Sequence, residues 1–164
     1  MRERTEVDEA LPCYAGQPVL WSEYTREEIA PIFGTSFNSG NWNCGIVRLT
    51  KDLILLTTLK KEDLSVGGHY DDGFLSPSRM RWQSQTRTQR DSRVGKILAG
   101  MDRDARIHLF VRSEKLRNGK GAPFLYCGQP KFVSWDGEEP ITVQWSLPEP
   151  VPIHLRKSLA VPDN

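Results

Sequence analysis

The sequence predicts an α+β domain built on a mainly antiparallel curled sheet or a small β-barrel, with two short helices. Several segments alternate apolar and polar residues with a period of two, which is the pattern of half-buried strands. Turns rich in Gly, Pro and Asn separate these segments at short intervals. Only two stretches combine helical spacing of apolar residues with a capping residue in front of them. Strands therefore dominate the predicted architecture.

The length of 164 residues and the hydrophobic content of 38% suit one globular domain, which we place at residues 21–152. Residues 1–20 are charged and then interrupted by Pro and Gly, so we expect a mobile N-terminal arm. Prolines at positions 148, 150 and 152 end the last predicted strand. Residues 153–164 are therefore predicted to be a C-terminal tail.

The first helix is predicted to begin after Thr25, because Thr25 is a suitable N-cap and Glu28 completes the pattern of a capping box. Pro31 keeps this helix short, and Gly34 suits its end. Two apolar runs follow, at residues 45–49 and 53–59, with a short polar turn between them. This arrangement predicts a β-hairpin.

A long polar connection at residues 60–78 is predicted to lie outside the core, as irregular segments of this length usually do. Residues 80–86 are predicted to form a strand, with Met80, Trp82 and Ser84 on one face. The second helix is predicted within residues 92–101. Its apolar stripe would consist of Val94, Ile97, Leu98 and Met101.

The clearest strand covers residues 105–113. Its alternation predicts that one face, with Ile107, Leu109 and Val111, packs on the core, and that the opposite face carries His108, Phe110 and Arg112. Three more strands are predicted at residues 123–128, 130–135 and 141–147. An acidic tip at residues 136–140 connects the last two.

The sequence predicts neither a metal site nor a cofactor. Cys13, Cys44 and Cys127 are odd in number and far apart, so they are expected to be reduced thiols and not a disulfide framework or a zinc site. The one local set of possible metal ligands is His69-Tyr70-Asp71-Asp72. An ordinary polar turn explains that set better, because metal sites usually recruit ligands from several segments.

Motifs of membrane proteins and of common enzymes are absent from the sequence. No apolar stretch reaches the roughly 18 residues that a membrane span needs, and the first residues lack the apolar segment of a signal peptide, so we expect a cytoplasmic protein. The sequence contains no nucleophile elbow, no H-E-x-x-H and no zinc-deaminase signature. A non-catalytic role is therefore predicted.

Charge is distributed unevenly along the chain. Residues 79–120 contain twelve Lys and Arg but four Asp and Glu, which gives this window a charge of +8 although the whole chain has +1. Such an asymmetry favours a surface that binds phosphates or other polyanions. The alternative is a polar loop that its arginines merely keep solvated.

The strand at residues 80–86 is the first candidate for a surface that reads nucleic acid. Trp82 offers a plane for stacking on a base, while the side chains of Arg81, Gln83, Ser84 and Gln85 offer hydrogen bonds to base edges and phosphates. The alternative places Trp82 in the core, since aromatic residues on strands are usually buried. In that case the alternating residues would be the exposed ones.

Other candidates would bind phosphates or enclose a nucleotide. His108 and Arg112 share a strand face and are predicted to approach one groove, although Arg112 has an alternative role in surface ion pairs beside Glu114. The remaining phosphate-binding candidates, which a disordered basic loop would also explain, are Arg87, Arg90, Arg93 and Lys96. The candidates for a lid or a pocket wall are His69, Tyr70, Phe110 and Tyr126.

Seven segments in order resemble one bacterial family. They are YTREEI (24–29), GIVRL (45–49), FLSP (74–77), RWQSQ (81–85), HLFVR (108–112), APFLYCG (122–128) and ITVQWSL (141–147). This order resembles the domain of unknown function 3427, which is usually found C-terminal to superfamily II helicases, often together with a phospholipase-D-like nuclease. The short aromatic strands are also similar to the small PUA-like barrels of modified-base readers. The chain has no P-loop, helicase core or H-x-K nuclease motif.

The resemblance implies a role in restriction or defence systems. The leading hypothesis is a DNA-binding module that reads modified DNA, altered either in a base or by a phosphorothioate backbone. The second hypothesis is a protein-interaction domain that docks onto a separate helicase or nuclease, and the third is a small metal-dependent nuclease or hydrolase whose acids assemble in space.

Overall fold

The computed structural model describes residues 17–60 and 72–163, and these residues form short helices and two larger sheets. The helices are α1 (Arg26–Ile32), α2 (Ser39–Trp42), α3 (Arg93–Leu98) and α4 (Ile153–Arg156). The strands are β1 (Glu23–Tyr24), β2 (Ile46–Arg48), β3 (Asp52–Lys60), β4 (Gly73–Ser76), β5 (Arg79–Gln83), β6 (Arg106–Glu114), β7 (Leu116–Arg117), β8 (Lys120–Gly121), β9 (Phe124–Gly128), β10 (Lys131–Asp136) and β11 (Thr142–Ser146).

The first sheet has the strand order β1-β9-β6-β3-β2, and the second has the order β10-β11-β5-β4. All neighbours are antiparallel except β3 and β6, which run parallel. β7 and β8 form a separate small hairpin. The α+β class and the predominantly antiparallel pairing are confirmed. In the described part of the chain the sheets stay open, so the predicted small barrel is wrong.

The first sheet is covered on both faces. One face packs against the second sheet through an inter-sheet core that includes Leu55, Trp82, Leu109 and Trp145. The other face packs against α1 and α2 through a helix-side core that includes Ile29, Trp42, Ile54, Phe110 and Phe124. Because β3 and β6 lie between these two cores, both strands are buried over consecutive residues, at 53–57 in β3 and 107–112 in β6, as strands covered on two faces are.

The predicted alternation along β6 is confirmed, but the expected exposure of its second face is wrong. Leu109 and Val111 enter the inter-sheet core, and Phe110 enters the helix-side core. His108 is 1% exposed and Arg112 is 8% exposed. Alternation shows which residues share a face, whereas the packing of α1 decides that this face is buried.

The two predicted helices and the predicted β2–β3 hairpin are present. The Thr25 hydroxyl accepts a hydrogen bond from the Glu28 N–H at 3.2 Å, and the Glu28 carboxylate accepts one from the Thr25 N–H at 2.9 Å, so the capping box is confirmed. Pro31 lies inside α1, near its end. In the second helix Ile97 and Leu98 are buried, but Met101 is 64% exposed and does not belong to the apolar stripe.

Two segments that were expected to lie outside the core contribute to it. Phe74 on β4 is buried in the inter-sheet core, although its segment was predicted to be a loose connection. Leu159 and Val161 are buried in the same core, so residues 153–163 pack on the domain and do not form a free tail. A few large apolar side chains suffice to fix a polar segment on a core.

Candidate functional site

Trp82 and Ser84 belong to the core and not to a surface. Trp82 is 3% exposed and packs on Trp145, with ring centroids 6.1 Å apart. Ser84 is 1% exposed, and its hydroxyl accepts a hydrogen bond from the Ile141 N–H at 2.8 Å. The prediction that these two side chains contact a base is wrong, because both are buried.

The residues that alternate with Trp82 face outward, as the core alternative predicted. Gln83 is half-buried, and its amide nitrogen donates a hydrogen bond to the Thr142 hydroxyl at 3.1 Å across the sheet. Gln85 is exposed beyond the end of β5, and Arg81 is half-buried on the outer side of the second sheet. Gln83 and Gln85, together with Trp82 and Ser84, line a small cavity of ≈ 150 Å³.

Arg90 is held by the acidic tip between β10 and β11. Its Nε donates a hydrogen bond to the Gly137 carbonyl at 3.0 Å, and its guanidinium lies 5.1 Å from the centroid of the Trp135 ring. The backbone N–H of Arg90 donates to the Glu138 carboxylate at 2.8 Å. Arg90 therefore fixes the loop between β5 and α3 to the acidic tip of the second sheet. Arg87, three residues earlier, is exposed.

His108 lies in a buried polar network. One ring nitrogen, Nδ1, is 2.9 Å from the Tyr126 hydroxyl, and the other, Nε2, is 3.0 Å from Asp52 Oδ1. Arg106 also donates to Asp52, at 2.9 Å and 3.3 Å. Burial lowers the pKa of His108, although the hydrogen bond and the charge of Asp52 oppose this shift.

The groove that His108 and Arg112 were predicted to approach is therefore not found beside His108. Phe110 and Tyr126 are buried in the helix-side core, so the prediction that they form the wall of a ligand pocket is wrong. Burial raises the pKa of Tyr126, which keeps its hydroxyl neutral. His69 and Tyr70, the predicted lid, lie outside the described residues.

Arg112 is buried against the Phe124 ring and does not pair with Glu114. Its Nε donates a hydrogen bond to the Thr58 hydroxyl at 2.8 Å, and its Nη1 donates to the Ala122 carbonyl at 3.0 Å. Glu114 instead forms an exposed ion pair with Lys60 at 3.6 Å. The alternative of a surface ion pair is thus wrong, and so is the prediction that Arg112 shares one open groove with His108.

Four cations gather around α3 on an exposed surface, which we name the α3 patch: Arg48, Arg93, Lys96 and Arg103. All four are exposed. They line two adjoining depressions of ≈ 280 and ≈ 600 Å³ that share Arg93. Among the described residues, none of these four side chains forms an ion pair with a carboxylate. The patch therefore attracts anions from solution.

The local structure of α3 explains why the cations of this helix face outward. Ile97 and Leu98 pack into the inter-sheet core, so Arg93 and Lys96, three residues apart, share the opposite side. The helix approaches its preceding loop closely at Gly95, where an added Cβ would lie 2.2 Å from the Gln89 carbonyl oxygen. Gly95 thus sets the position of the whole helix.

The two carboxylates within the depressions of the patch are already engaged. Asp52 accepts hydrogen bonds from Arg106, as described above, and is close to His108. Asp102 Oδ1 accepts a hydrogen bond from the Asp104 N–H at 3.0 Å. Arg106 offsets the charge of Asp52, and the four cations outnumber Asp102, so the patch has a positive balance.

Sequence reasoning identified part of this patch. Arg93 and Lys96 were candidates, and the structure places them together. Arg48 was missed because it lies on β2, far away in sequence, and only the packing of α3 beside the β2–β3 turn joins them. Arg103 was missed as well, although it lies in the basic window. Its position only a few residues after α3 was a signal that could have placed it near the helix.

Among residues 17–60 and 72–163, no group of three or more His, Cys, Asp or Glu side chains is arranged to hold a metal ion. In the same residues, no helix combines the length and the apolar character needed to cross a membrane.

The fold and the patch define an α+β domain with an exposed basic surface. A family model described as a domain of unknown function, DUF3427, matches residues 19–159. The chain therefore belongs to this family, which confirms the resemblance inferred from its ordered segments. A search of curated proteins gave no match to the chain.

Proposed function

We propose that this domain binds DNA and catalyses no reaction on it. The observation that carries the proposal is the α3 patch, where four exposed cations lack carboxylate partners among the described residues. Lys and Arg side chains of this kind neutralise phosphates and release counterions, which supplies most of the affinity of sequence-independent DNA binding. The shallow shape of the patch suits a convex phosphate backbone better than a small molecule.

The finer part of the proposal is that the domain reads modified DNA for a restriction or defence system. Its support is the resemblance to a domain appended to helicases and nucleases. In such a system the domain would hold the DNA, while a separate helicase or nuclease would supply energy or cleavage. Phosphate contacts position a protein on DNA, so a reader needs further contacts that distinguish the modified group.

The test is a titration of labelled blunt-ended duplexes without 5′-phosphates, followed by fluorescence anisotropy at 50 and 200 mM salt. One duplex is unmodified, one has a modified base and one has phosphorothioate linkages. Four phosphate contacts predict an affinity loss of about 100-fold between the two salt concentrations. Tighter binding of one modified duplex is expected from a reader. An absence of binding at 50 mM salt would refute the proposal.

Two matched double variants each reverse two charges, one pair in the α3 patch and the other pair on the second sheet. Arg93→Glu with Lys96→Glu should weaken duplex binding at least about tenfold, because two phosphate contacts become repulsive. The control is Arg79→Glu with Lys131→Glu, two exposed cations that flank Ser146 on the second sheet. A larger loss in the control than in the α3 variant would move the interface to the second sheet.

The alternative of a protein-docking domain makes a different prediction. It expects no affinity for any of the duplexes, but a stable complex with a helicase or nuclease partner in a pull-down experiment. The two predicted contacts for such a partner are the acidic tip at residues 136–139 and the proline-rich segment at residues 149–152. The tip is partly occupied, since Glu138 accepts a hydrogen bond from the Arg90 N–H and Glu139 from the Gln89 amide. This occupancy disfavours the tip as a docking contact.

A further inference from the structure

A second group of cations lies near the end of β6, away from α3. A pocket of ≈ 580 Å³ opens there between the start of α1 and the β7–β8 hairpin. We name it the arginine pocket. Its charged lining residues are Arg26, Arg112, Lys115, Lys120 and Glu27, so four cations face one carboxylate. Its volume lies in the range of small-molecule sites.

Two of these cations share one aromatic ring. The guanidinium carbon of Arg112 is 4.3 Å from the centroid of the Phe124 ring, and that of Arg26 is 5.1 Å from it. Phe124 is completely buried on β9, so the ring is a rigid support for both guanidinium groups. Such an arrangement brings two positive charges close together in a partly dehydrated place.

Hydrogen bonds to neutral groups fix both arginines. Arg112 bonds to Thr58 and Ala122, as described above, and Arg26 Nη1 donates to the carbonyls of Trp42 and Cys44, the latter at 3.0 Å. The Nη2 group of each arginine makes no hydrogen bond within the described residues. The side chains are therefore positioned while each retains donors for a ligand.

No carboxylate of the described residues forms an ion pair with either guanidinium. Burial, and then repulsion by Arg26, lower the pKa of Arg112 to about 10. Burial also lowers the pKa of Arg26, against the opposing charges of Cys44 and Glu27. Two partly desolvated cations with only the exposed Glu27 carboxylate nearby are unfavourable, and a bound anion relieves this.

The hairpin that carries the lysines has a defined shape. Asn118 and Gly119 both have positive φ, at 54° and 79°, which is the backbone of a tight two-residue hairpin turn. This turn brings Lys120 back beside Lys115, so that both line the mouth of the pocket. Exposed lysines at a mouth attract an anion, and the fixed arginines inside bind it.

We propose that the arginine pocket binds a dianionic phosphate group, as inorganic phosphate, as a nucleotide or as the terminal phosphate of a nucleic acid strand. Planar guanidinium groups match phosphate oxygens geometrically and can bind two of them at once. The excess of cations suits a group with two negative charges, whereas an internal phosphodiester has one. A recessed pocket also admits a terminal group more easily than an internal one.

This inference does not depend on the proposed binding of duplex DNA by the α3 patch. The patch lies near the beginning of β3 and β6, while the pocket lies near the end of β6. Blunt duplexes without terminal phosphates test the patch alone. Loss of that binding with retention of phosphate binding would refute only the proposed function, and the reverse result would refute only this inference.

The experiment measures binding of inorganic phosphate to the full chain by calorimetry and by the thermal unfolding midpoint, with chloride at equal ionic strength as reference. Phosphate should raise the midpoint progressively with concentration, because a ligand of the folded state stabilises it. Lys115→Ala with Lys120→Ala, two exposed positions, should weaken phosphate binding at least about fivefold. Arg112→Gln should abolish it, and circular dichroism shows whether that variant is folded.

The matched control is Arg117→Ala, which removes a cation from the same hairpin but not from the lining of the arginine pocket. Its phosphate affinity should equal that of the parent chain. An absence of phosphate-specific stabilisation in the parent would overturn the proposal, and so would equal phosphate affinities in the parent and the double lysine variant.

Three further ligands identify the source of the phosphate. They are a nucleoside 5′-monophosphate and one short single strand prepared with either a 5′-phosphate or a 5′-hydroxyl. Preference for the nucleotide over inorganic phosphate would assign a nucleotide site, and preference for the phosphorylated strand would assign a strand end. Equal affinity for all phosphate-bearing ligands would assign free phosphate. Equal affinity for the two strands would exclude a strand end.

Discussion

The α3 patch and the arginine pocket both present cations, but they hold them differently. The patch exposes its four charges on a shallow surface, whereas the pocket holds Arg112 at 8% exposure with its guanidinium against Phe124. Exposed cations are hydrated, move freely and attract any polyanion. Buried cations have lost hydration and stand in fixed positions, so they favour a ligand of matching shape.

This difference assigns separate tasks to the two surfaces. Long-range attraction of a nucleic acid requires many exposed charges but no fixed arrangement of hydrogen-bond donors. Recognition of one phosphate group requires few charges with fixed donors. Variants and conditions that affect one surface and not the other test this division.

The largest effect is expected from Gly95→Ala. The added Cβ would lie 2.2 Å from the Gln89 carbonyl oxygen and 2.6 Å from that of Arg90, so α3 must shift. Overpacking of this kind lowers the free energy of unfolding by about 1–3 kcal/mol. Urea unfolding measures the loss, and duplex affinity should fall as the patch moves.

The control for this variant is Gly73→Ala on β4, where an added Cβ meets no atom within 4 Å. Its unfolding should resemble that of the parent chain. Phosphate binding should survive Gly95→Ala, since the arginine pocket does not include α3. If Gly95→Ala unfolded like the parent, the close approach of α3 to its loop would be wrong.

The second expected effect is a difference in salt dependence. Duplex binding by the α3 patch should lose about 100-fold between 50 and 200 mM salt if four phosphates are contacted. Phosphate binding in the arginine pocket should lose only a few-fold, because partly buried charges are screened less. Anisotropy and calorimetry at both salt concentrations measure the two slopes. Equal slopes would show that both surfaces act by the same diffuse attraction.

The third effect concerns pH and the network beside the patch. Burial lowers the pKa of His108 below its ordinary value of 6.5, despite Asp52 and with Arg106 nearby. Just below pH 6.5 the unfolded chain therefore binds more protons than the folded chain. The stability that neutral His108 contributes is present above pH 6.5, and it is lost as the pH falls through the lower pKa of the folded state.

Urea unfolding at pH 7.5 and 5.5 measures this effect in the parent chain and in His108→Gln. The parent should lose more stability at pH 5.5 than the variant does, because the variant lacks the titrating ring. An equal loss in both chains would mean that His108, beside Asp52 and Tyr126, has the same pKa in the folded state as in the unfolded state.

The smallest effect is expected from Arg117→Ala. Arg117 forms an exposed ion pair with Glu23, with 2.7 Å between Nη2 and Oε2, and this pair raises the pKa of Arg117. Exposed pairs contribute less than about 1 kcal/mol, since water and salt screen them. Thermal unfolding of the variant should shift slightly, and a large shift would show that the hairpin depends on this pair.

Several elements were predictable because their signals are local. The capping box of Thr25 and Glu28, the alternation along β5 and β11, and the hairpin of β2 and β3 all follow from neighbouring residues. The parallel pairing of β3 with β6 was not predicted, because the paired residues, such as Ile54 and His108, lie about 50 positions apart in the sequence. Helices α2 and α4 were missed, since four-residue helices carry little periodicity.

The candidate site was predicted less well than the fold. Trp82 and Ser84 are in the core, and His108 is buried between strands and α1. The basic window contains Arg93 and Lys96, which are exposed, but the same window also contains Arg90, which the acidic tip holds, and Arg112, which packs on Phe124. A count of charges along the chain does not separate these roles.

The sequence by itself determined the α+β class, the faces of the strands and the excess of cations in the middle of the chain, because periodicity, capping and charge are properties of neighbouring residues. Only the tertiary structure decided which cations remain in water and which are desolvated. The physical reason is that burial depends on what packs over a face, and Arg26 and Arg112 meet on Phe124 only because α1, β6 and β9 fold together.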